Sequence, residues 1–365
     1  MNKSIFLFSL LAVAIFTSTA LSLPRFAVRL GDKCIDCHYN PTGGIIRNED
    51  GWNFGKNIMS AITPRDQDFM TTPKIGENIS FGLDYRTQFL YSEEKSRTDF
   101  QQMTGSIYTN VGLAKNINLT GRYDFINEIW EAYGVAHILP NNGYIKAGSF
   151  VPNYGIRIDD HTAYTRGGDL FLLSTGSVQG LIYSPWYTEA GVEAGFYISN
   201  WALFTASAGS NLLNNGTLSK DPTYTTRLEL TPKIGKVGLL FGGSYAAAKI
   251  PRTADFYGGF LGIGINRFSL LAEFDMANNV ISGDTKSNFA MAEAAYVVLM
   301  GLEAVVRYDR IDPNTTVAQD ELQHIIVGFE WFPYAFIEIR PQYRFVLEDP
   351  SQKNNSAVLQ FHFWY

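Results

Sequence analysis

From Glu77 to Tyr365, apolar and polar residues alternate with a period of two in one stretch after another. In ISFGLDYRTQFLY, Ile79, Phe81, Leu83, Tyr85, Phe89 and Tyr91 fall on one face, with Ser80, Asp84, Arg86 and Gln88 on the other. INLTGRYDF sets Ile117, Leu119, Tyr123 and Phe125 against Asn118, Thr120, Arg122 and Asp124. IEIRPQYRF sets Ile337, Ile339, Tyr343 and Phe345 against Glu338, Arg340, Gln342 and Arg344, and Leu359, Phe361, Phe363 and Tyr365 alternate with Gln360, His362 and Trp364. No apolar run reaches the roughly 18 residues of a membrane helix, and no 3.6-residue period is sustained, so the region is built of strands.

A soluble sandwich alternates too, but it seldom needs so many strands of nine to thirteen residues. Strands long enough to cross a bilayer while tilted, with aromatics near their ends and charges on the other face, are what a closed membrane barrel requires. The expected fold class is therefore all-β: a transmembrane antiparallel barrel of 16 strands over residues 75–365. Direct counting finds seventeen alternating segments, one too many for an even barrel. The weakest is Val178 to Trp186, which Pro185 interrupts.

Short turns are expected near Phe332-Pro333, Met300-Gly301, Asn266 and Ser199-Asn200. Longer polar connections are expected at 209–222, 277–286, 310–320 and 347–355. The irregular stretch 151–176 is either a loop folded into the pore or an ordinary external loop. The inward faces would carry Asp84, Asp124, Glu131, Glu229, Glu273, Asp275, Glu293, Glu303, Asp309, Glu330 and Glu338 against Arg86, Arg122, Arg227, Arg307, Arg340 and Arg344. That acidic excess favours cations, unless the charges neutralise one another in ladders along the wall.

Composition narrows the partners. The chain has 365 residues, 46% hydrophobic and 14% aromatic, with a formal charge of −6 and only 2 Cys. It offers no basic surface for nucleic acid, and no nucleic-acid partner is expected. Residues 1–22 read as a secretory signal peptide: Lys3, an apolar run from Ile5 to Phe16, and small residues allowing cleavage after Ala20 or Ser22. A membrane anchor is the alternative. Export would put the remaining chain beyond the cytoplasm.

Both cysteines lie in Cys34-Ile35-Asp36-Cys37-His38. This spacing suits two thioether bonds to one haem, Cys34 and Cys37 adding to its vinyl groups and His38 binding the iron. A disulfide and half of a zinc site are the competing readings, the latter without a second cysteine pair. Residues 23–74 would then be a small haem segment stapled by its cofactor, one covalent haem c. Phe26, Tyr39, Trp52, Phe54 and Phe69 are available to pack on the ring or in an ordinary core, turns are expected at Asn40-Pro41 and Gly43-Gly44, and a short helix over 52–62. Met59 and Met70 are the local candidates for the distal iron ligand, plain packing being the alternative for each.

The leader, Pro24-Arg25-Phe26-Ala27 ahead of Gly31, the CxxCH at 34–38 and the C-terminal alternation ending Phe-Trp-Tyr together resemble the fused monohaem cytochrome-porins. GYIKAGSFVPNYGIR and GLEAVVRYDRIDP also look like porin strands, and terminal Tyr365 resembles the insertion signal of outer-membrane barrels. The resemblance spans the chain in architecture but only residues 24–38 in motif. It implies an outer-membrane electron-transfer protein, with outer-membrane lipid around the barrel and its haem at the periplasmic side or in the lumen. Its donor would be extracellular, such as a cationic Fe(II), its acceptor a periplasmic electron carrier, with iron(II) oxidase activity in view. A solute porin with a structural or sensing haem plug, or a conduit passing electrons outward, are the alternatives.

Overall fold

The structure, a computed structural model, describes residues 24–44, 46–65, 68, 72–94, 96–158, 163–166, 187–210, 222–250, 252–279, 285–347 and 353–365. The leader, Phe69, Met70, His161 and the doubtful strand at 178–186 lie outside them. Sixteen strands form one antiparallel sheet that closes on itself. They are β1 Ile79–Ser92, β2 Arg97–Ala114, β3 Ile117–Asp124, β4 Ile129–Leu139, β5 Gly143–Phe150, β6 Glu189–Ser199, β7 Ala202–Ser210 and β8 Thr223–Leu230. The second half holds β9 Val237–Ile250, β10 Arg252–Ile265, β11 Phe268–Asn278, β12 Lys286–Leu299, β13 Leu302–Asp312, β14 Leu322–Trp331, β15 Ile337–Leu347 and β16 Ser356–Trp364. Two-residue extensions, Lys74–Ile75 and Lys233–Ile234, pair with β1 and β9. Closure comes from β16 on β1, in register from Ser356↔Ser92 to Trp364↔Asp84.

Each strand pairs with its sequence neighbours, so every connection is a hairpin. At one end the connections are short. Asn266 and Gly301 take positive φ there (51° and 78°), which Asn and Gly tolerate best. The other end carries the longer connections, including 313–321, 279–285 and 348–355. This is the alternation expected from the sequence.

Period two becomes inside and outside. Leu83, Ile107, Leu119, Val192, Leu261, Val306 and Phe363 face outward and are exposed, while Asp84, Asp124, Glu193, Glu273, Asp309 and Glu338 are buried in the interior. Exposed aromatics mark both rims: Trp201, Phe268, Tyr296 and Trp331 at the short-turn end, Tyr91, Phe100 and Tyr224 at the other. A closed wall leaves no strand edge, so its backbone donors and acceptors are paired within the sheet.

Residues 24–62 sit inside the short-turn end of this barrel. They contain α1 Pro24–Leu30, a single helical turn α2 Cys34–Cys37, and α3 Glu49–Asn57. The helix expected over 52–62 starts earlier, because Asn48 caps it by accepting from Gly51 N (3.0 Å), and it stops sooner, at Asn57. The turn at Asn40-Pro41 is present, closed by Gly43 N donating to Asn40 O (2.9 Å). The segment is tied to the rim by Ala61 N donating to Phe332 O (2.8 Å) and by a parallel bridge from Ile62 to Tyr334.

Candidate functional site

The lumen is lined by ion pairs between neighbouring inward positions. Arg122 meets Glu131 (2.8 Å), Arg227 meets Glu229 (2.6 Å), Arg307 meets Asp309 (2.7 Å) and Arg340 meets Glu338 (2.8 Å). All the acidic positions expected from the alternation do face inward. The expected acidic excess, however, is largely offset. Lys146 of β5, on the inward phase of its strand and fully buried, pairs with Glu193 (2.8 Å). Arg25, Arg29 and Arg47 come from the N-terminal segment, and Arg157 and Arg166 from the stretch after β5, while Glu189 and Glu193 add to the acidic side. Counting strand positions alone missed these five arginines, since nothing local to them says they turn inward.

The described part of 151–176 folds into the pore. Asn153 Nδ2 donates to Thr205 Oγ1 (3.1 Å), Ile156 N to Glu273 Oε2 (2.8 Å), and Arg166 pairs with Glu273 (2.8 Å). Tyr154 packs with Phe256, Phe289 and Ile311, and Ile156 with Val28, Phe260 and Leu271. This loop and α1 therefore share one apolar seat on the wall formed by β9 to β12.

Inward glycines on β9 and β10 make room for that seat. A Cβ at Gly238 would lie 1.9 Å from the Val28 carbonyl oxygen, and one at Gly264 2.4 Å from Arg29 N. Further along the same stretch of wall, on β12 to β14, Arg25 reaches Glu293 (3.1 Å), Glu303 (3.6 Å) and Glu330, while Arg29 meets Glu303 (2.7 Å). Both guanidinium groups also lie over the Phe26 ring.

The CxxCH residues lie on one helical turn and its C-cap. Cys34 and Cys37 occupy one helical turn as free thiols, and His38 N donates back to Cys34 O (3.0 Å). Asn48 fastens the turn to α3: its side chain donates to Ile35 O (3.3 Å) and Asp36 O (3.2 Å), and its backbone N–H to Cys37 O (2.8 Å). His38, 2% exposed, hydrogen-bonds through Nδ1 to Ile46 O (3.1 Å). A carbonyl in that position makes Nδ1 the protonated nitrogen, the arrangement that orients a metal-binding imidazole.

Cys34 borders a cavity with Pro41, Thr42, Asn153, Arg157 and Arg227. Gly43 and Gly44, at φ 84° and 115°, carry the chain past it; a Cβ on Gly43 would touch Cys34 Sγ at 3.5 Å, and one on Gly44 would press on Arg157 Nη2 at 3.0 Å. Buried Nη1 of Arg157 has no hydrogen-bond partner. Burial, then the nearby Glu229 charge, pushes the Cys34 thiol up to about 12; burial, then Asp32, raises Cys37 as well. Among the described residues no group of three or more His, Cys, Asp and Glu is arranged to hold a metal ion.

Met59 is not brought to the Cys34 cavity. It packs against the cluster of Phe26, Trp52, Phe54, Phe332, Phe336 and Trp364, and borders separate spaces beside Arg25 and Arg47 and beside Met300. Three of the aromatics named as ring partners, Phe26, Trp52 and Phe54, form that same cluster, whereas Tyr39 packs with Ile46 and Tyr108.

The fold has solved counterparts. Pseudomonas putida OprB, seen at high pH, superposes with a TM-score of 0.64 at 9% identity, covering 85% of this chain and 99% of that one. The outer membrane channel DcaP of Acinetobacter baumannii gives 0.54 at 12%, covering 79% and 97%. Salmonella typhi OmpF in complex with daunomycin gives 0.57 at 12%, covering 79% and 98%. The chain thus has the porin-like barrel fold. No protein-family model and no curated protein matches the sequence.

Proposed function

We propose that the chain is an outer-membrane channel of the porin kind whose N-terminal segment, residues 24–62, is a plug seated in the inner end of the lumen. The carrying observation is the closed 16-strand wall, apolar outside and lined with ion pairs inside. Hydrocarbon gives backbone groups no partners, so only such a closed sheet spans it with strands, and a charged interior draws water. With the plug seated, its arginines bring the lumen charge near balance, so the resting lumen has no strong preference for cations. Purified protein in planar bilayers is expected to give discrete conductance steps. A folded, heat-modifiable barrel that never conducts, in the parent or in any variant with a loosened plug, would refute the channel.

A second reading is favoured by the CxxCH geometry: the plug carries one covalent haem c and exchanges electrons with a periplasmic carrier. The residues present suit the group. Cys34 and Cys37 would hold it through thioethers and His38 through the iron. Bound there, the haem supplies one-electron exchange. The chain's own contribution is orientation: Ile46 O fixes the imidazole, and Asn48 holds the turn that spaces the thiols. Fe(II) remains the donor to try first, without the advantage of a strongly acidic lumen. Expression with haem-attachment machinery and haem staining of the heat-modifiable band tests this reading; an unstained band refutes it, and Cys34→Ala with Cys37→Ala is the control.

A further inference from the structure

The seat of α1 has a feature that a passive plug does not require. Glu303 and Glu330 are direct Cα partners on β13 and β14, so two like charges face each other across the sheet at a buried, inward position. Such a pair destabilises a wall unless something neutralises it. Arg340 meets Glu330 (3.2 Å) from the wall itself. The remaining neutralisation comes from the plug: Arg25 spans Glu293, Glu303 and Glu330 on three successive strands, and Arg29, one helical turn later, takes the free oxygen of Glu303. Along the same stretch of wall, on β9 and β10, the glycines at 238 and 264 receive the backbone of the same helix.

From this we infer that Arg25 and Arg29 form a charge latch that sets how often the channel is open. It rests on the channel reading above. In the closed state the two guanidinium groups satisfy the glutamates and α1 fills the inner lumen. In the open state α1 has withdrawn, the glutamate cluster faces water, and the narrowest part of the conduit becomes acidic. One contact thus governs both gating and ion preference: opening converts a nearly neutral wall into a cation-preferring one.

The test uses the full chain in planar bilayers under a KCl gradient. Parent protein is compared with Arg25→Gln plus Arg29→Gln, with Arg25→Lys plus Arg29→Lys, and, from the wall side, with Glu303→Gln plus Glu330→Gln. The first variant is expected to spend at least ten times longer open, with its reversal potential shifted toward that of K+. The lysine variant keeps the charge and is expected to stay near the parent. The wall variant is expected to open as well, but without the shift toward K+. Because it removes a repulsive pair, it guards against a mere folding defect in the arginine variants. An unchanged open fraction in both glutamine variants, with a conducting parent, would overturn the latch and leave the channel standing. No current from the parent or from any variant, all folded, would remove the channel and the latch together.

Discussion

Adding one methyl group at Gly238 or Gly264 should dislodge α1 from the barrel. The new carbon would lie 1.9 Å from the Val28 carbonyl oxygen in the first case and 2.4 Å from Arg29 N in the second, against an ordinary contact of about 3.5 Å. The opposing atoms are helix backbone, which cannot rotate away as a side chain does, so the helix must shift by about 1 Å or more. Overpacking of this kind costs about 1–3 kcal/mol. A shifted helix also loses part of the burial of Phe26 and Val28, both 4% exposed, each worth about 1.5–3 kcal/mol when complete. Taking the overpacking alone, the seated state loses roughly 5- to 150-fold relative to the released one. Trypsin reports this directly, because Arg25 and Arg29 are buried when seated and cleavable when released, and cleavage follows the open population when reclosing is fast. The expected result is faster cleavage after both arginines in Gly238→Ala and Gly264→Ala, with the heat-modifiable barrel intact. Gly121→Ala is the control, its added carbon meeting nothing closer than 3.9 Å. Equal cleavage rates in all three would refute the seating.

Three further outcomes are expected. Asn48→Ala removes the α3 cap and two donations to the CxxCH turn, a loss of about 0.5–2 kcal/mol for the cap alone; in chain made without haem, maleimide labelling of Cys37 should quicken, and unchanged labelling would count against the fastening role. In the same material Cys34, raised to about 12 from an ordinary 9.0 by burial, should alkylate slowly at pH 8 and still be accelerating at pH 10. Since the folded thiol keeps its proton longer than the unfolded one, stability should fall as pH rises from about 9 toward 12; a plateau in alkylation rate by pH 9.5 would contradict the burial. Finally, His362 lies between Glu338 (Nδ1, 2.8 Å) and Asp84 (Nε2, 3.0 Å) at the seam of β15, β16 and β1. Replacing it by Leu takes one hydrogen bond from each carboxylate while Arg86 stays on Asp84 (3.3 Å) and Arg340 on Glu338 (2.8 Å), a cost of about 1.5–3 kcal/mol per lost bond; the folded band on a gel should be lost at a lower temperature, and an unaltered transition would show the seam does not depend on it.

The wall was legible because a strand needs only its own alternation to declare its faces: Asp84, Arg86 and Gln88 point inward wherever the sheet closes. The short turns were legible through Asn266 and Gly301 for the same local reason. The plug's position was not, because the contacts that hold α1 on the wall join residues more than 200 positions apart, as Arg25 to Glu293 and Val28 to Gly238. Gly238 and Gly264 read locally only as small residues in a glycine-rich hairpin. For the same reason the lumen count ran too acidic, with Arg25, Arg29 and Arg47 standing in the sequence far from the glutamates they meet. Lys146 was the avoidable miss, since Tyr144 and Lys146 alternate with Ile145 and Ala147 in plain sight. Met59 carried no directional signal at all; a thioether suits an aromatic cluster as well as an iron, and the aromatic cluster is where it lies.

The most direct test of the whole account is a density map of the full chain in lipid nanodiscs. It should show sixteen strands enclosing helical density at the short-turn end, with Arg25 against the β12–β14 wall. A barrel with a clear lumen, and residues 24–62 folded as a separate body outside it, would contradict the account.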